Sequence, residues 1–401
     1  MIEGNACTAF NAGKHFIADP SPVYNPDGYI GPVKRIEYAD GHAWLITRFA
    51  DAQKALASRD LCRNPGTFPD RHDTSRFPTK AHRIMTKHLL GVDPPEHTRV
   101  RRLVSGAFSP RRIHEFRPSA ERIAGELLER MSEQRGVDLQ SSFSYPFATG
   151  VFCEFVGFPD RLHGTFASWG KALLAEDTPE NEVASVVEEM HAEVQDLLTE
   201  KRRAPAEDVL TSLAHADDDV NGRLSDLEIT SMVFGIIVAG SDTTANFIGN
   251  GVFLLLTNPD INDVLLSRPA LMTSTVEEFL RFRGTAETAL RRYTSAPVTI
   301  GSTVIPKNEV VLISLATANR DPEVFADPDR LDIGRRENPH VAFGYGPHFC
   351  LGANLARMQS MVAFGALLKR FPTLRLNTDL DNLAWRSSSL VRGLTTLPIR
   401  W

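Results

Sequence analysis

Residues 33–38, with apolar Val33, Ile36 and Tyr38, and the short apolar run 43–47 flank Ala39-Asp-Gly41 and predict a β-hairpin. Beyond it, apolar residues recur mainly at helical spacing. That spacing predicts helices over residues 49–58, 95–107, 111–135, 142–156 and 183–203. Residues 63–91 and 176–181 are rich in proline and charge instead and predict long loops, which in a compact fold are often functional. The clearest helix start is Ser225-Asp-Leu-Glu228, a capping box in which the glutamate bonds back to the serine backbone. The pattern then runs to about Thr257, before Asn258-Pro259, for roughly 30 residues or about 48 Å of helix. Its apolar positions (Met232, Phe234, Ile236, Ile237, Val238, Phe247 and Phe253) lie on most sides, so this helix is expected to run buried through the centre. A helix ending near Arg283, short strands over 298–305 and 310–315, and an irregular stretch over 319–347 follow. The final helix carries Leu351, Leu355, Met358 and Val362 on one stripe and stops at Pro372, and the tail from Leu374 reads as short strands. The fold class is mainly α with small peripheral β-sheets. With no repeat, linker or low-complexity stretch to cut at, residues 1–401 are expected to form a single domain.

Composition changes this picture little. The chain is 42% hydrophobic and 23% charged, with a net charge of −6, a weakly acidic balance that argues against a nucleic-acid binder. Residues 1–20 show no basic stretch followed by an apolar run, and the longest apolar stretch, 232–240, is far too short to cross a bilayer. A cytoplasmic protein without a membrane anchor is the expectation. The four cysteines (Cys7, Cys62, Cys153 and Cys350) are scattered and do not form a disulfide framework, which fits a reducing compartment. Cys153 lies in an apolar run and reads as core.

Cys350 differs. It sits in Phe343-Gly-Tyr-Gly-Pro-His-Phe-Cys-Leu-Gly352, on a glycine-bracketed loop immediately before a helix. Free backbone N–H groups and the helix N-terminus favour a thiolate there. No second cysteine or histidine stands at zinc-ligand spacing, so a single axial bond to haem iron suits this sulfur. A buried thiol in a tight turn is the structural alternative. A second unusual stretch is Ala239-Gly-Ser-Asp-Thr-Thr244, which puts four consecutive polar residues on the buried helix. Such groups are costly unless paired, although Thr243 can simply bond back to the carbonyl of Ala239. Glu278-Phe-Leu-Arg281 is an i,i+3 pair, uninformative alone, and His97-Thr-Arg-Val-Arg101 places two basic groups on one helical face. Dinucleotide loops, Walker A, H-E-x-x-H and G-x-S-x-G are all absent from the sequence.

Together these motifs resemble the cytochrome P450 family, in its soluble bacterial form, over nearly the whole chain and most strongly over residues 225–368. The spacing F-x-x-G-x-H-x-C-x-G resembles the family's haem-thiolate loop, which implies Cys350 as the iron ligand of a haem b, with Phe343 and Gly352 beside it. The resemblance implies that Asp242 and Thr243 form the acid–alcohol pair supplying protons for O–O cleavage, and that small Ala239 and Gly240 leave room over the haem. It implies propionate contacts from His97, Arg101, His348 and Arg291, with Arg292 as the alternative register. It also implies a structural triad of Glu278, Arg281 and Arg330 that braces the Cys350 loop; Leu331 departs from the family's usual phenylalanine. Substrate would be lined by Phe234, Ile237, Val238, Thr285, Leu290 and Leu390. The implied activity is insertion of one oxygen atom from O2 into a small hydrophobic molecule. Electrons would come from a ferredoxin and its NAD(P)H-dependent reductase, because the chain holds no flavin or nicotinamide motif. The segments Glu287–Arg291 and Trp385–Gly393 are similar to actinomycete antibiotic-pathway members, which implies a polyketide- or macrolide-like substrate. Epoxidation, oxidative coupling and desaturation by the same fold are open alternatives. So is a non-catalytic haem sensor or electron carrier, against which the Asp-Thr pair argues. A monomer is expected.

Overall fold

The computed structural model describes residues 31–64 (except 32, 39 and 40), 79–174, 178–218, 222–386 and 391–401. Strands β1 (Val33–Tyr38), β2 (Gly41–Ile46), β3 (Leu61–Cys62), β4 (Arg292–Thr294) and β5 (Val310–Ile313) form one five-stranded sheet in the order β1-β2-β5-β4-β3. The expected hairpin is present, with Val33 opposite Ile46 and Tyr38 opposite Gly41, and its turn residues 39 and 40 lie outside the described residues. β2 pairs in parallel with β5, so residues far apart in sequence meet at one edge of the helical body. Residues 298–305 form a separate two-stranded hairpin that turns at Gly301 (φ 57°).

Six helices frame the functional region: α1 (Glu96–Ser105), α2 (Pro110–Ser132), α3 (Tyr145–Val156), α4 (Asp226–Thr257), α5 (Met272–Arg283) and α6 (Ala353–Arg370). α4 is the long central helix, and both bonds of its capping box form: Glu228 N to Ser225 Oγ at 3.3 Å, and Ser225 N to Glu228 Oε2 at 2.7 Å. By length and composition α4 is apolar enough to cross a membrane. However, 78% of its most apolar stretch is buried inside the protein, as a core helix requires. α3, α5, α6 and the helices His163–Leu174 and Glu180–Arg203 all pack on it. One large apolar cluster runs through this body, and a second lies between the helix Phe49–Ala57 and the sheet.

The sequence pattern missed the helices Thr79–Thr86, His163–Leu174 and Pro259–Ser267 and the short Val209–Ala214 and Leu315–Ala318. The first lies within the expected 63–91 loop. The second mixes glycine and alanine with its aromatics, which dilutes the periodic signal. α3 starts three residues later than expected because a π-turn, Gln140–Ser144, precedes it.

Candidate functional site

The loop before α6 is shaped by glycine. Gly344 and Gly346 both have φ 73°, a conformation that L side chains rarely adopt. A Cβ on Gly346 would also lie 3.0 Å from the Ala57 Cα, so this glycine lets the loop seat against the helix Phe49–Ala57. The Cys350 amide donates to the carbonyl of Phe343 (2.9 Å), closing the loop, and Gly352 is the N-cap of α6. Cys350 retains accessible surface, yet surrounding protein raises its thiol above the usual value. The Gly352 amide and the charges of Arg101 and Arg357 only partly offset that burial. The N-terminus of α6 therefore does not by itself make the thiolate that the sequence suggests. A coordinated metal would, because it deprotonates a thiol outright. Arg357 stacks over Phe343 at 4.6 Å and makes two hydrogen bonds to Glu277 (2.7 and 2.8 Å).

Beside the loop lies a cluster of basic side chains. The His97 and His348 rings are 4.2 Å apart. Burial, then Arg292, His97 and Arg63, push His348 down to about 2; burial, then Arg101, lowers His97. Arg292 is itself buried and lowered to about 10 by burial and by Arg63. Among the described residues, His97 Nε2 and the Arg292 Nε donor are buried without a partner. Neutral histidines beside buried arginines, with orphaned nitrogens, fit an anionic ligand.

Both histidines feel the charge of Arg292, the alternative register that the sequence left open. The reason is strand geometry. Arg292 is the first paired residue of β4, opposite Val311, and a one-residue step along a strand reverses the side a residue faces. Arg291 precedes the strand, and its carbonyl accepts from Arg63. Arg63, which also donates to the Leu90 carbonyl (2.9 Å), was missed; it sits at the start of a segment that reads as loop.

α4 is buried over Ile229–Ile237 and again from Thr244. Between them Ala239 is exposed, while Val238, Gly240, Ser241 and Thr243 are half-buried. Ala239 and Thr243 are one turn apart on the same face. Thr243 Oγ does bond back to the Ala239 carbonyl (2.6 Å), and Thr285 Oγ donates to the Thr243 carbonyl (3.1 Å). Gly240 has a different role from the one expected. A Cβ there would lie 2.4 Å from the Phe152 ring, so it lets α3 approach α4 and leaves no open room on that side. Asp242 is buried. Its Oδ1 accepts from Arg386 Nη1 (2.6 Å) and from the Tyr145 hydroxyl (3.1 Å), so it bonds to these two rather than to Thr243. No motif signalled Tyr145, and the resemblance over Trp385–Gly393 gave Arg386 no role.

The Glu278–Arg281 pair is sealed in the core and doubly bonded, both contacts at 2.8 Å. Arg281 also donates to the carbonyls of Asn319, Pro328 and Arg330. The third side chain is Arg335 and not Arg330: Arg335 Nε meets Glu278 Oε2 at 3.2 Å with 10% of its side chain exposed. The Arg330 side chain is 69% exposed and comes only within 4.0 Å of Asp332, so its contribution is its carbonyl.

Two of the expected substrate-lining residues are also corrected. Phe234 and Ile237 are 1% and 0% exposed. Phe234 packs on the His88 ring (5.4 Å), and Ile237 packs toward Gly170. Val238 and Leu290 are half-buried, Thr285 is buried against α4, and Leu390 lies outside the described residues.

Residues 151–392 match the family model described as Cytochrome P450. The chain belongs to the cytochrome P450 family. This P450 is 42% identical to Cytochrome P450 107B1 of Saccharopolyspora erythraea over 92% of both chains. It is 38% identical to the Mycinamicin IV hydroxylase/epoxidase of Micromonospora griseorubida, again over 92% of both. Among solved structures it is similar to the Bacillus subtilis bacillaene polyketide synthase P450 PksS, with TM-score 0.88 and 33% identity over 97% of this chain and 98% of that one. It is also similar to the ligand-free P450 monooxygenase TamI, with TM-score 0.86 and 40% identity over 97% and 93%. The chain is therefore a P450 monooxygenase, which removes the sensor and electron-carrier alternatives. The family implies haem iron with a cysteine thiolate ligand, and the residues fit that group. Cys350 is accessible at the loop, orphaned basic nitrogens lie beside it, and an exposed face interrupts an otherwise buried helix.

Proposed function

We propose that this P450 holds haem b through Cys350, with His97, Arg101, Arg292 and His348 on the propionates, and inserts one oxygen atom from O2 into an apolar polyketide- or macrolide-type molecule. The observation that carries this reading is the basic cluster with two unpartnered buried nitrogens next to the Cys350 loop. When bound, the haem supplies dioxygen activation, with electron donation from the thiolate favouring O–O cleavage.

The residues of the chain do the rest. The Glu278–Arg281–Arg335 network fixes the segment leading to the loop, with Asp332 N (2.8 Å) and Asn338 Nδ2 (3.1 Å) also bonded to Glu278. Ala239, exposed, and Val238, half-buried, put apolar surface on the face of α4 that would meet the haem. Asp242 and Thr243 move protons: a dry pocket offers none, and the carboxylate beside a hydroxyl-bearing turn is the available relay. The names of the macrolide- and polyketide-pathway relatives support the substrate class, and the hydroxylase/epoxidase among them keeps epoxidation as a second outcome. Exposed Tyr345 and Phe349 flank Cys350, and exposed Arg102, Arg111 and Lys369 support docking of an acidic ferredoxin fed by an NAD(P)H-dependent reductase in the cytoplasm.

The test is direct. The reduced, CO-bound protein should show the absorption band of a thiolate-ligated haem, and Cys350→Ser should abolish it. With ferredoxin and reductase, a panel of macrolides, macrolactones and fatty acids should give, from its macrolides or macrolactones, a product heavier by one oxygen atom. A normal CO band in Cys350→Ser would overturn the ligand assignment, and a panel in which only fatty acids react would overturn the substrate class.

A further inference from the structure

Asp242 is held at Oδ1 by residues to which the sequence assigned no role. The Tyr145 hydroxyl donates to Asp242 Oδ1 (3.1 Å) and accepts from Arg386 Nη1 (3.0 Å) and Asn246 Nδ2 (3.1 Å). One bond donated and two accepted use the full capacity of a hydroxyl. Arg386 Nη1 also donates to Asp242 Oδ1 (2.6 Å), and Asn246 Nδ2 to the Asp242 carbonyl (2.7 Å). The four residues come from three places: Asp242 and Asn246 one turn apart on α4, Tyr145 at the first position of α3, and Arg386 in the C-terminal segment. That segment is itself pinned. Arg386 N donates to the Gly393 carbonyl (2.9 Å), and Trp385 bridges Leu394. A Cβ on Gly393 would lie 1.7 Å from Asn246 Oδ1, so only glycine lets this backbone press against α4 and bring Arg386 to the acid. Burial and the Asp242 charge push the Tyr145 phenol up to about 12, so it remains a donor at working pH. Burial disfavours charge on Arg386, but Asp242 and Tyr145 outweigh it and raise the guanidinium.

We propose that Tyr145 and Arg386 are positioning residues for proton delivery in this P450, fixing Asp242 through Oδ1 and leaving Oδ2 to carry the proton. Among the described residues no hydrogen bond reaches Oδ2. In the transfer, Oδ2 takes a proton from a water and gives a proton to the acceptor on the Thr243 side. The carboxylate returns ionised and no electron moves. The proposal rests on the assignment of Asp242 as the acid.

The experiment compares Arg386→Gln, Arg386→Lys, Tyr145→Phe and Asp242→Asn in the haem-loaded enzyme with ferredoxin and reductase. Arg386→Gln and Tyr145→Phe should each raise the solvent deuterium isotope effect on turnover about twofold and lower coupled product formation about tenfold, the scale of a misplaced general acid. Their substrate-binding spectra should stay at wild type, and Arg386→Lys should recover much of the loss. Crystal structures of Arg386→Gln and Tyr145→Phe should show the Asp242 carboxylate rotated from its present position. Wild-type isotope effects and coupling in both, with Asp242→Asn impaired, would overturn the clamp while leaving the acid assignment intact. A silent Asp242→Asn would overturn the acid assignment itself and the clamp with it.

Discussion

Replacing Arg335 by methionine should cost far more than the same change at Arg330, although the sequence motif points to Arg330. Glu278 is a fully buried carboxylate that accepts from Arg281 twice and from Asp332 N, Arg335 Nε and Asn338 Nδ2. Arg335→Met removes one of its two cationic partners and also frees the carbonyls of Ala326 (2.8 Å) and Asp327 (3.3 Å). Because Arg281 remains, the carboxylate is weakened rather than stranded. The cost is then about 2–4 kcal/mol, between the loss of one charge-assisted bond and a fully broken buried pair. Arg330→Met leaves the Arg330 carbonyl in place for Arg281 and removes only an exposed 4.0 Å contact, so its cost should stay within about 0.5 kcal/mol. With an unfolding entropy of about 2.1 cal/mol/K per residue, 401 residues give about 0.84 kcal/mol/K. Arg335→Met should then lower the midpoint by about 2–5 °C, and Arg330→Met by under about 1 °C. Thermal unfolding of the haem-loaded protein, followed by the Soret band and by far-UV circular dichroism, measures both. An Arg330→Met midpoint as low as that of Arg335→Met would refute the reasoning.

Arg292→Met should weaken haem retention about 10- to 100-fold in apomyoglobin transfer, the worth of a charge-assisted bond, while Arg291→Met should change it little; equal losses would return the register to Arg291. His88 donates from Nε2 to the Met85 carbonyl (2.9 Å), accepts the Leu90 amide at Nδ1 (3.3 Å), and is lowered from 6.5 to about 4 by burial. The folded state thus binds fewer protons than the unfolded one between those values, so stability should be level above pH about 6.5 and fall by about 3 kcal/mol as pH drops to about 4. Urea titrations at several pH values should show that slope flattened in His88→Gln. Gly240→Val should destabilise by about 1–3 kcal/mol through the clash with Phe152, and Phe152→Leu should restore part of it in the double variant. Thr243→Ala should keep substrate binding but divert electrons to peroxide, measured as peroxide released per NADPH consumed; tight coupling would remove Thr243 from the relay.

What was legible in the sequence and what was not divide along a physical line. Periodicity and capping gave α4 to the residue at its start, because a long apolar pattern opened by Ser225 and Glu228 has few alternatives. Local spacing also located the Cys350 loop and the Glu278–Arg281 pair, whose partners lie within one turn or one loop. The residues that sequence reasoning missed or misassigned are held by partners distant in the chain. Arg292 is aimed by a strand register set against Val311, Arg335 reaches Glu278 across 57 positions, and Arg386 reaches Asp242 across 144. Phe234 and Ile237 failed for a related reason. A helix apolar on most sides does not reveal which side meets core and which meets cavity, and that is decided by His88 and Gly170 packing from elsewhere.

The same line explains why four consecutive polar residues are tolerated on the central helix. Three of them are satisfied in two different ways. Thr243 and Thr244 bond back to the carbonyls of Ala239 and Gly240, a local solution open to any helix. Asp242 has no local solution: an ionised carboxylate buried on a helix needs a charge brought to it. Arg386 meets that need from the C-terminal segment, and Asn246 and Gly393 fix how that segment sits against α4. The Asp242 neighbourhood is therefore costly to assemble and uses residues from three separate parts of the chain. A core helix needing only stability would carry an apolar residue at position 242 and need neither Arg386 nor a glycine at 393. Retaining all of them together is understandable if the carboxylate itself is used, which is the physical ground for placing proton delivery at this turn of α4.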